Sequence, residues 1–236
     1  MLTLAIDSSQ EICTIALGKD SQVLAEYHFH HKMNLLRRIL PVIEMLLRDA
    51  GHKPADLDGI IVSLGPGSFT GLRIGVTVAK SLAYTLAKPI VGVPTLEAIA
   101  RGVAESATEL ICPMIFARAH EVYWALFDCS GEMRLEDCAV SPLSEALESV
   151  AARGVSVVFC GSGATRNEEA IRHKFGNQAV IAKPWADFAR GAALIEIGGK
   201  RLRNGEADDP SALTPMYVRK PTPVVRLETG EFEKSG

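Results

Sequence analysis

The sequence predicts an α/β protein of two similar lobes, each a mixed sheet flanked by helices. Three observations carry this expectation. The order of segments repeats once along the chain: three strands, a helix, a strand, a glycine loop and a helix. Residues 11–17 match 121–127 in pattern, and 61–67 match 157–163, as an internal duplication would leave them. The composition, 236 residues with 47% hydrophobic and 22% charged, suits a chain that buries a sizeable core and is too apolar for disorder.

Taken in order, residues 2–6 read as a buried strand broken by Asp7-Ser8-Ser9. Residues 12–17 and 23–29 read as two more strands around the turn Gly18-Lys19-Asp20-Ser21. A helix over 33–50 is stopped by Gly51. Residues 59–64 form an apolar strand that runs into the loop Gly65-Pro66-Gly67-Ser68-Phe69-Thr70-Gly71 and a helix to about Ala87. A short strand at 90–93 precedes a helix opened by Pro94-Thr95. The second half follows the same plan. Strands fall at 110–116, 121–128 and 133–140, a helix at 142–153, and a strand at 155–160 that leads into Gly161-Ser162-Gly163 and one further helix. Residues 189–203 read as the last helix. Two lobes of this order facing each other are the architecture of the actin-like ATPases, where nucleotide lies in the cleft. The lobes are placed at 1–106 and 107–220, with 221–236 a Pro-rich, mobile tail.

Several function classes lose support at this level. The chain carries 25 Lys+Arg against 28 Asp+Glu, a net charge of −3, which leaves no electrostatic footprint for nucleic acid. No apolar run approaches the ~18–20 residues of a membrane span, and the apolar start at 1–6 is too short and lacks the basic opening of a signal peptide. Cys13, Cys112, Cys129, Cys138 and Cys160 are odd in number and form no Cys-x-x-Cys pair. They suit buried thiols in a reduced, cytoplasmic chain better than disulfides or zinc.

The glycine loop is the most informative stretch. Glycines permit positive φ and close backbone approach, and a helix start offers N–H groups to an anion. The spacing is neither the Walker pattern nor Gly-x-Gly-x-x-Gly, so a tight turn capped by Ser68 or Thr70 competes with an anion site. Asp7 is open to two readings: a turn former, or an acid facing phosphates through a metal ion. The matching place in the second half reads Ile115-Phe116-Ala117-Arg118-Ala119-His120, with no carboxylate and no glycine. Magnesium with phosphate needs hard oxygen ligands there, so half the apparatus is missing. Nucleotide contact, reduced to a vestige, falls to Asp7, Gly65, Gly67, Ser68, Gly161 and Gly163. His28, His30 and His31 read as a solvated strand end rather than a metal site. No Gly-x-Ser-x-Gly elbow occurs. No catalytic residue, resident metal or cofactor is assigned.

Two helices carry more apolar surface than one face needs. In 33–49 the apolar positions cover well over half the circumference, with Pro41 inside, where a lost hydrogen bond and a kink are expected. The next helix carries Gly71, Gly75, Ala79, Ala83 and Ala87 at four-residue spacing, a stripe that admits close packing of another element. Surplus apolar area marks a partner. The expected docking residues are Met33, Leu36, Leu40, Ile43 and Leu47 on the first helix, and Gly71, Ile74, Gly75, Val78, Ala79 and Leu82 on the second.

Five blocks together are similar to the TsaB (YeaZ) family: Leu4-Ala5-Ile6-Asp7-Ser8-Ser9; the run from Gly65 through Gly71-Leu72-Arg73-Ile74-Gly75; Val91-Gly92-Val93-Pro94-Thr95-Leu96; Glu121-Val122-Tyr123-Trp124-Ala125; and Pro215-Met216-Tyr217-Val218-Arg219. The resemblance runs from Met1 to about Lys220. It implies an actin-like fold and a non-catalytic subunit in making threonylcarbamoyladenosine next to the tRNA anticodon. It further implies binding to the paralogous transferase TsaD, contact with the small ATPase TsaE, homodimers when alone, and tRNA met only through the complex. Leu35 stands where the family often has His, and Phe116 where it often has Asp; both departures weaken independent nucleotide chemistry. The rival functions are an actin-like ATPase or kinase using Asp7 and the two glycine loops, and an M22-type metallopeptidase, for which no ligand set is evident.

Overall fold

A computed structural model of the chain describes residues 1–31, 34–107 and 109–218. The first half builds a five-stranded sheet from β1 (Leu2–Asp7), β2 (Ile12–Lys19), β3 (Gln22–His30), β4 (Gly59–Gly65) and β5 (Ile90–Pro94), in the order β3-β2-β1-β4-β5. The second half builds another from β6 (Leu110–Arg118), β7 (Glu121–Asp128), β8 (Arg134–Pro142), β9 (Val157–Cys160) and β10 (Ala179–Ile181), in the order β10-β9-β6-β7-β8. Matching β1 with β6, β2 with β7 and so on turns one order into the other. The pairings agree as well: β1 is antiparallel to β2 and parallel to β4, and β6 is antiparallel to β7 and parallel to β9. The actin-like, duplicated two-lobed fold expected from the segment order is the one observed.

Side-chain alternation sorts these strands into layers. In β1, Leu4 and Ile6 join the outer core beneath α1 (Leu35–Asp49) and α2 (Phe69–Leu86), while Ala5 points to the space between the sheets. In β6, Ile111 and Ile115 face that central space, whereas Cys112 and Met114 face the far layer of α4 (Leu143–Ala151) and α6 (Glu168–Phe175). The middle layer holds α3 (Thr95–Arg101) and α7 (Gly191–Arg203). α7, although made by the second half, lies against β1, β2, β4 and β5 of the first; α3, made by the first half, leans on β6. Beyond α7 the chain returns along the first lobe. Asp208 accepts from the Gly92 N–H at 2.7 Å, Leu213 enters the outer core, and the Met216 N–H donates to the Leu64 carbonyl at 2.7 Å.

Three local expectations are adjusted. α1 runs unbroken through Pro41, which sits on its exposed side. The single helix expected after Gly163 is two, α5 (Ser162–Arg166) and α6. Asn167 separates them: its Nδ2 donates to the Gly163 carbonyl at 2.7 Å, and its own carbonyl accepts from the Ile171 N–H at 3.0 Å. β10, only three residues long, was absent from the expected elements. The tail at 221–236 lies outside the described residues.

Candidate functional site: the interlobe cleft and the outer helices

At the end of β1 the chain turns through Asp7, Ser8 and Ser9, all buried. Asp7 Oδ1 accepts from the Ser9 N–H at 3.0 Å. Its Oδ2 has no hydrogen-bond partner among the described residues, and neither have the hydroxyls of Ser9 and Ser63. Burial pushes the Asp7 carboxyl above the ordinary carboxylate range, and hydrogen bonding from Ser9 offsets this only in part. The acid sits behind Ser9 rather than in the wall of the cleft.

The glycine loop packs onto this turn. Gly65 has φ 109°, and Ser68 caps α2 by accepting the Gly71 N–H at 3.2 Å, which settles the choice between Ser68 and Thr70. The Ser68 N–H donates to the Ser9 carbonyl at 2.6 Å, and Ser8 Oγ donates to the Gly71 carbonyl at 2.8 Å. A Cβ at Gly67 would overlap the Ser9 carbonyl, one at Gly71 the Ser8 carbonyl, and one at Gly75 the Ser8 hydroxyl. At Gly71 and Gly75 the element admitted by the stripe of small residues is therefore the chain's own β1–β2 turn, while Ala79 and Ala83 pack in the outer core. The N–H groups of Ser68 and Gly71, which an anion would need, are engaged internally. In the second half Gly161, with φ 90°, and Gly163 approach Met114 instead.

Between the lobes lies a cleft of about 1010 Å³. Ser9, Gly67 and Ser68 reach its wall from the first lobe, and Ser162 from the second; Asp7, Gly65, Gly161 and Gly163 do not. Gln10 bridges the lobes, accepting from Ser162 Oγ at 2.8 Å and donating to the Asp187 carbonyl at 3.0 Å. A latch beside it joins β3 to the start of α7. Glu26 accepts from the Gly191 N–H at 2.7 Å and pairs with Arg190 at 3.3 Å and His28 at 3.1 Å. Burial alone would raise the Glu26 carboxyl, but these donors outweigh it and hold the group at about 2.

The histidines do not converge. His28 bonds Thr14 at 3.0 Å, His30 pairs with Glu11 at 3.1 Å, and His31 meets the Gln10 carbonyl at 2.7 Å. Among the described residues no group of three His, Cys, Asp or Glu side chains is placed to share a metal ion.

The outer helices divide the docking residues. Ile43, Leu47, Gly71, Gly75, Val78 and Ala79 are buried by the chain itself. The apolar stripe of α1 formed by Leu35, Ile39, Val42, Ile43, Leu46 and Leu47 is the one that seals the sheet, so Ile43 and Leu47 are core rather than surface. Leu36 and Leu40 remain outside it at 64% and 49% exposure, and Tyr84 on α2 is 88% exposed. Ile74 and Leu82 are half-buried against the core edge. Met33 lies outside the described residues. Sequence reasoning missed the cleft's arginines and aromatic rings, which come from distant segments; their one local signal is that Arg73 and Arg166 each follow a glycine loop.

Comparison with known proteins bears on this geometry. Residues 23–220 match the family model described as TsaD, tRNA N6-adenosine threonylcarbamoyltransferase. The Bacillus subtilis tRNA threonylcarbamoyladenosine biosynthesis protein TsaB is 35% identical over 222 residues, covering 93% of this chain and 94% of that protein. The Escherichia coli protein of the same name is 37% identical over 126 residues, 53% of this chain and 54% of that one. A crystal structure of a Pseudomonas aeruginosa protein described as similar to peptidase YEAZ superposes with TM-score 0.78 at 28% identity, covering 92% of this chain and 99% of that one. Component A of the Acidaminococcus fermentans (R)-2-hydroxyglutaryl-CoA dehydratase, at TM-score 0.51 and 11% identity over 86% of this chain and 99% of that one, shares the fold alone. By the extent of these matches the chain belongs to the TsaB (YeaZ) family, which takes part in threonylcarbamoyladenosine biosynthesis.

Proposed function

We propose that this chain is a non-catalytic scaffold of tRNA threonylcarbamoylation that binds the paralogous transferase TsaD and holds it in an active arrangement. One observation carries the reading: Leu36 and Leu40 stand exposed on α1, outside the buried stripe that seals the sheet. Two solvated leucines one turn apart form an anchor pair of the kind that fills a partner's groove. Tyr84, Ile74 and Leu82 extend the surface along α2. The buried Asp7 and the internally engaged N–H groups of Ser68 and Gly71 support a role without phosphate chemistry. On this reading 1–106 and 107–220 are the two lobes, with α7 lent by the second to the first. The same helices serve a homodimer when TsaD is absent, TsaE joins the assembly, tRNA is reached only through the complex, and the setting is the cytoplasm. Among the described residues no helix is long and apolar enough to cross a membrane.

The test uses the double variant Leu36→Asp with Leu40→Asp. Both positions are exposed, so its melting temperature should match the parent's. Its affinity for TsaD and its support of tRNA modification should fall at least about tenfold, the effect of removing interface anchors. Undiminished capture by the folded variant would remove the proposal. Ile43→Asp and Ala79→Glu are unsuitable here, because each would place a charge in the core and unfold the lobe.

A further inference from the structure

We propose that His28 is a proton-operated clasp where the chain crosses from the second lobe into α7: with both ring nitrogens protonated it locks β3 onto that crossing, and as a neutral ring it lets the junction loosen. This goes beyond the scaffold reading and does not depend on it. The inference rests on a count of hydrogens. Thr14, buried on β2, donates its single hydroxyl hydrogen to the Ala189 carbonyl at 3.0 Å. The same oxygen lies 3.0 Å from His28 Nδ1. With the Thr14 hydrogen committed, Nδ1 must carry a proton of its own and donate to Thr14. The other ring nitrogen, Nε2, is buried and has no aligned hydrogen-bond partner among the described residues, yet it stands 3.1 Å from Glu26 Oε1.

Each neutral form of the ring fails one contact. Protonated on Nδ1 alone, it turns the Nε2 lone pair toward a carboxylate. Protonated on Nε2 alone, it needs the Thr14 hydrogen at Nδ1 and takes it from the Ala189 carbonyl. The imidazolium meets Thr14, Ala189 and Glu26 together. Its counter-charge is secure, because Glu26 also accepts from the Gly191 N–H at 2.7 Å and its carboxyl is held at about 2. The other charged groups around the ring have partners. On the same side of β3, His30 pairs with Glu11 at 3.1 Å. From the crossing, Arg190 shares the Glu26 carboxylate at 3.3 Å, and Asp187 accepts from Thr165 Oγ1 at 2.6 Å. Phe188 meets the His28 ring edge-on at 5.0 Å. α1 covers the opposite face of β3, where Arg38 stacks 4.2 Å from the centre of the Phe29 ring. The charged ring stabilises the closed junction, so that stabilisation is full below the histidine range and is lost as pH rises through it. Phe188 and Asp187 line the cleft, so the clasp also sets one of its walls.

Nitrogen NMR of the full chain, labelled in its histidine rings, reads these protons directly. Amide exchange at Gly191 is followed alongside, corrected for the intrinsic pH dependence of exchange and referred to the Leu4 amide in β1. The expected result is a His28 ring protonated on both nitrogens at about pH 6 and bare at Nε2 at about pH 9. Gly191 protection should fall at least about tenfold between the two, the worth of one charge-assisted contact. His28→Phe keeps a ring against Phe188 and should hold Gly191 at the lower protection at both pH values. If that variant melts early, Thr14→Val keeps the test open: it removes the hydroxyl that obliges Nδ1 to donate, and should flatten the pH step. A ring that keeps one neutral tautomer throughout, Gly191 protection that ignores pH in the parent, or an undiminished pH step in either folded variant overturns the proposal.

Discussion

The junction from β4 into α2 and the junction from β9 into α5 hold the same place in the two sheets, yet they enclose different things. Both begin with a glycine at positive φ, Gly65 at 109° and Gly161 at 90°. In the first half the glycines behind it receive a turn of two serines and a buried acid, and α2 then runs for 18 residues. In the second half they receive the backbone of Met114, and the helix stops after five residues at Asn167. Duplication has preserved the backbone device and changed what it clasps. One junction has become a sealed polar knot around Asp7. The other has become the base of an open stack of Arg166 on Phe116. In the first junction the N–H groups of Ser68 and Gly71 are engaged within the chain, and Asp7 lies behind its turn rather than in the cleft wall.

The largest test of this contrast pairs Gly71→Ala with Gly163→Ala. The first Cβ meets a carbonyl oxygen that cannot move without breaking the Ser8–Gly71 contact, whereas the second lies 3.0 Å from Met114 and asks for a small adjustment. Urea unfolding should show a loss of about 3 kcal/mol for Gly71→Ala and about 1 kcal/mol for Gly163→Ala. Equal losses would mean that the two junctions are packed alike.

Glu26→Gln sharpens the comparison at the latch between the lobes. The folded-state carboxyl is held at about 2, below its unfolded value, so its contribution is full above the ordinary Glu range and fades as pH falls toward 2. The variant should be less stable by roughly 2 kcal/mol near pH 7, with the gap closing below about pH 4. A gap independent of pH would remove the charge from the explanation.

The smallest effect, of opposite sign, belongs to Asp7→Asn. Burial raises this carboxyl, so its ionisation costs stability as pH climbs above the ordinary Asp range. An amide avoids that cost and can donate to the neighbouring hydroxyls of Ser9 and Ser63. Thermal melts should place the variant level with or up to about 1 kcal/mol above the parent at neutral pH, the advantage shrinking on acidification. A marked destabilisation at pH 7 would show that the ionised acid is what the knot requires.

Much of the fold was legible because strand patterning and glycine punctuation are local. The matches of 11–17 with 121–127 and of 61–67 with 157–163 fall on β2 with β7 and on β4 with β9. The site was less legible because it is made of contacts distant in sequence. The stripe Gly71–Gly75 announces a close neighbour, but that the neighbour is Ser8, 63 residues before Gly71, is a tertiary fact. α1 has so many apolar positions that periodicity alone does not tell Leu36 and Leu40 from Ile43 and Leu47; the sheet beneath selects the inward stripe. Glu11 meets His30 because Ile12 lies opposite His30 in the ladder, a register invisible along one strand. The cleft draws on residues 69, 73, 116, 166 and 217; only Phe69 and Arg73, four apart on α2, announce one another by spacing, and the other three come from separate segments.

The placement of α7 against the first sheet bears on how the molecule comes into being. A ribosome that has synthesised residues 1–190 has released every strand of the first sheet while the cover for Ala5, Ala16, Ile61 and Val91 is still unmade. The early-born half must wait with that flank bare, and the last helix to emerge closes it. Cutting the gene at its ancestral seam would yield two fragments, each lacking the piece its sibling carries.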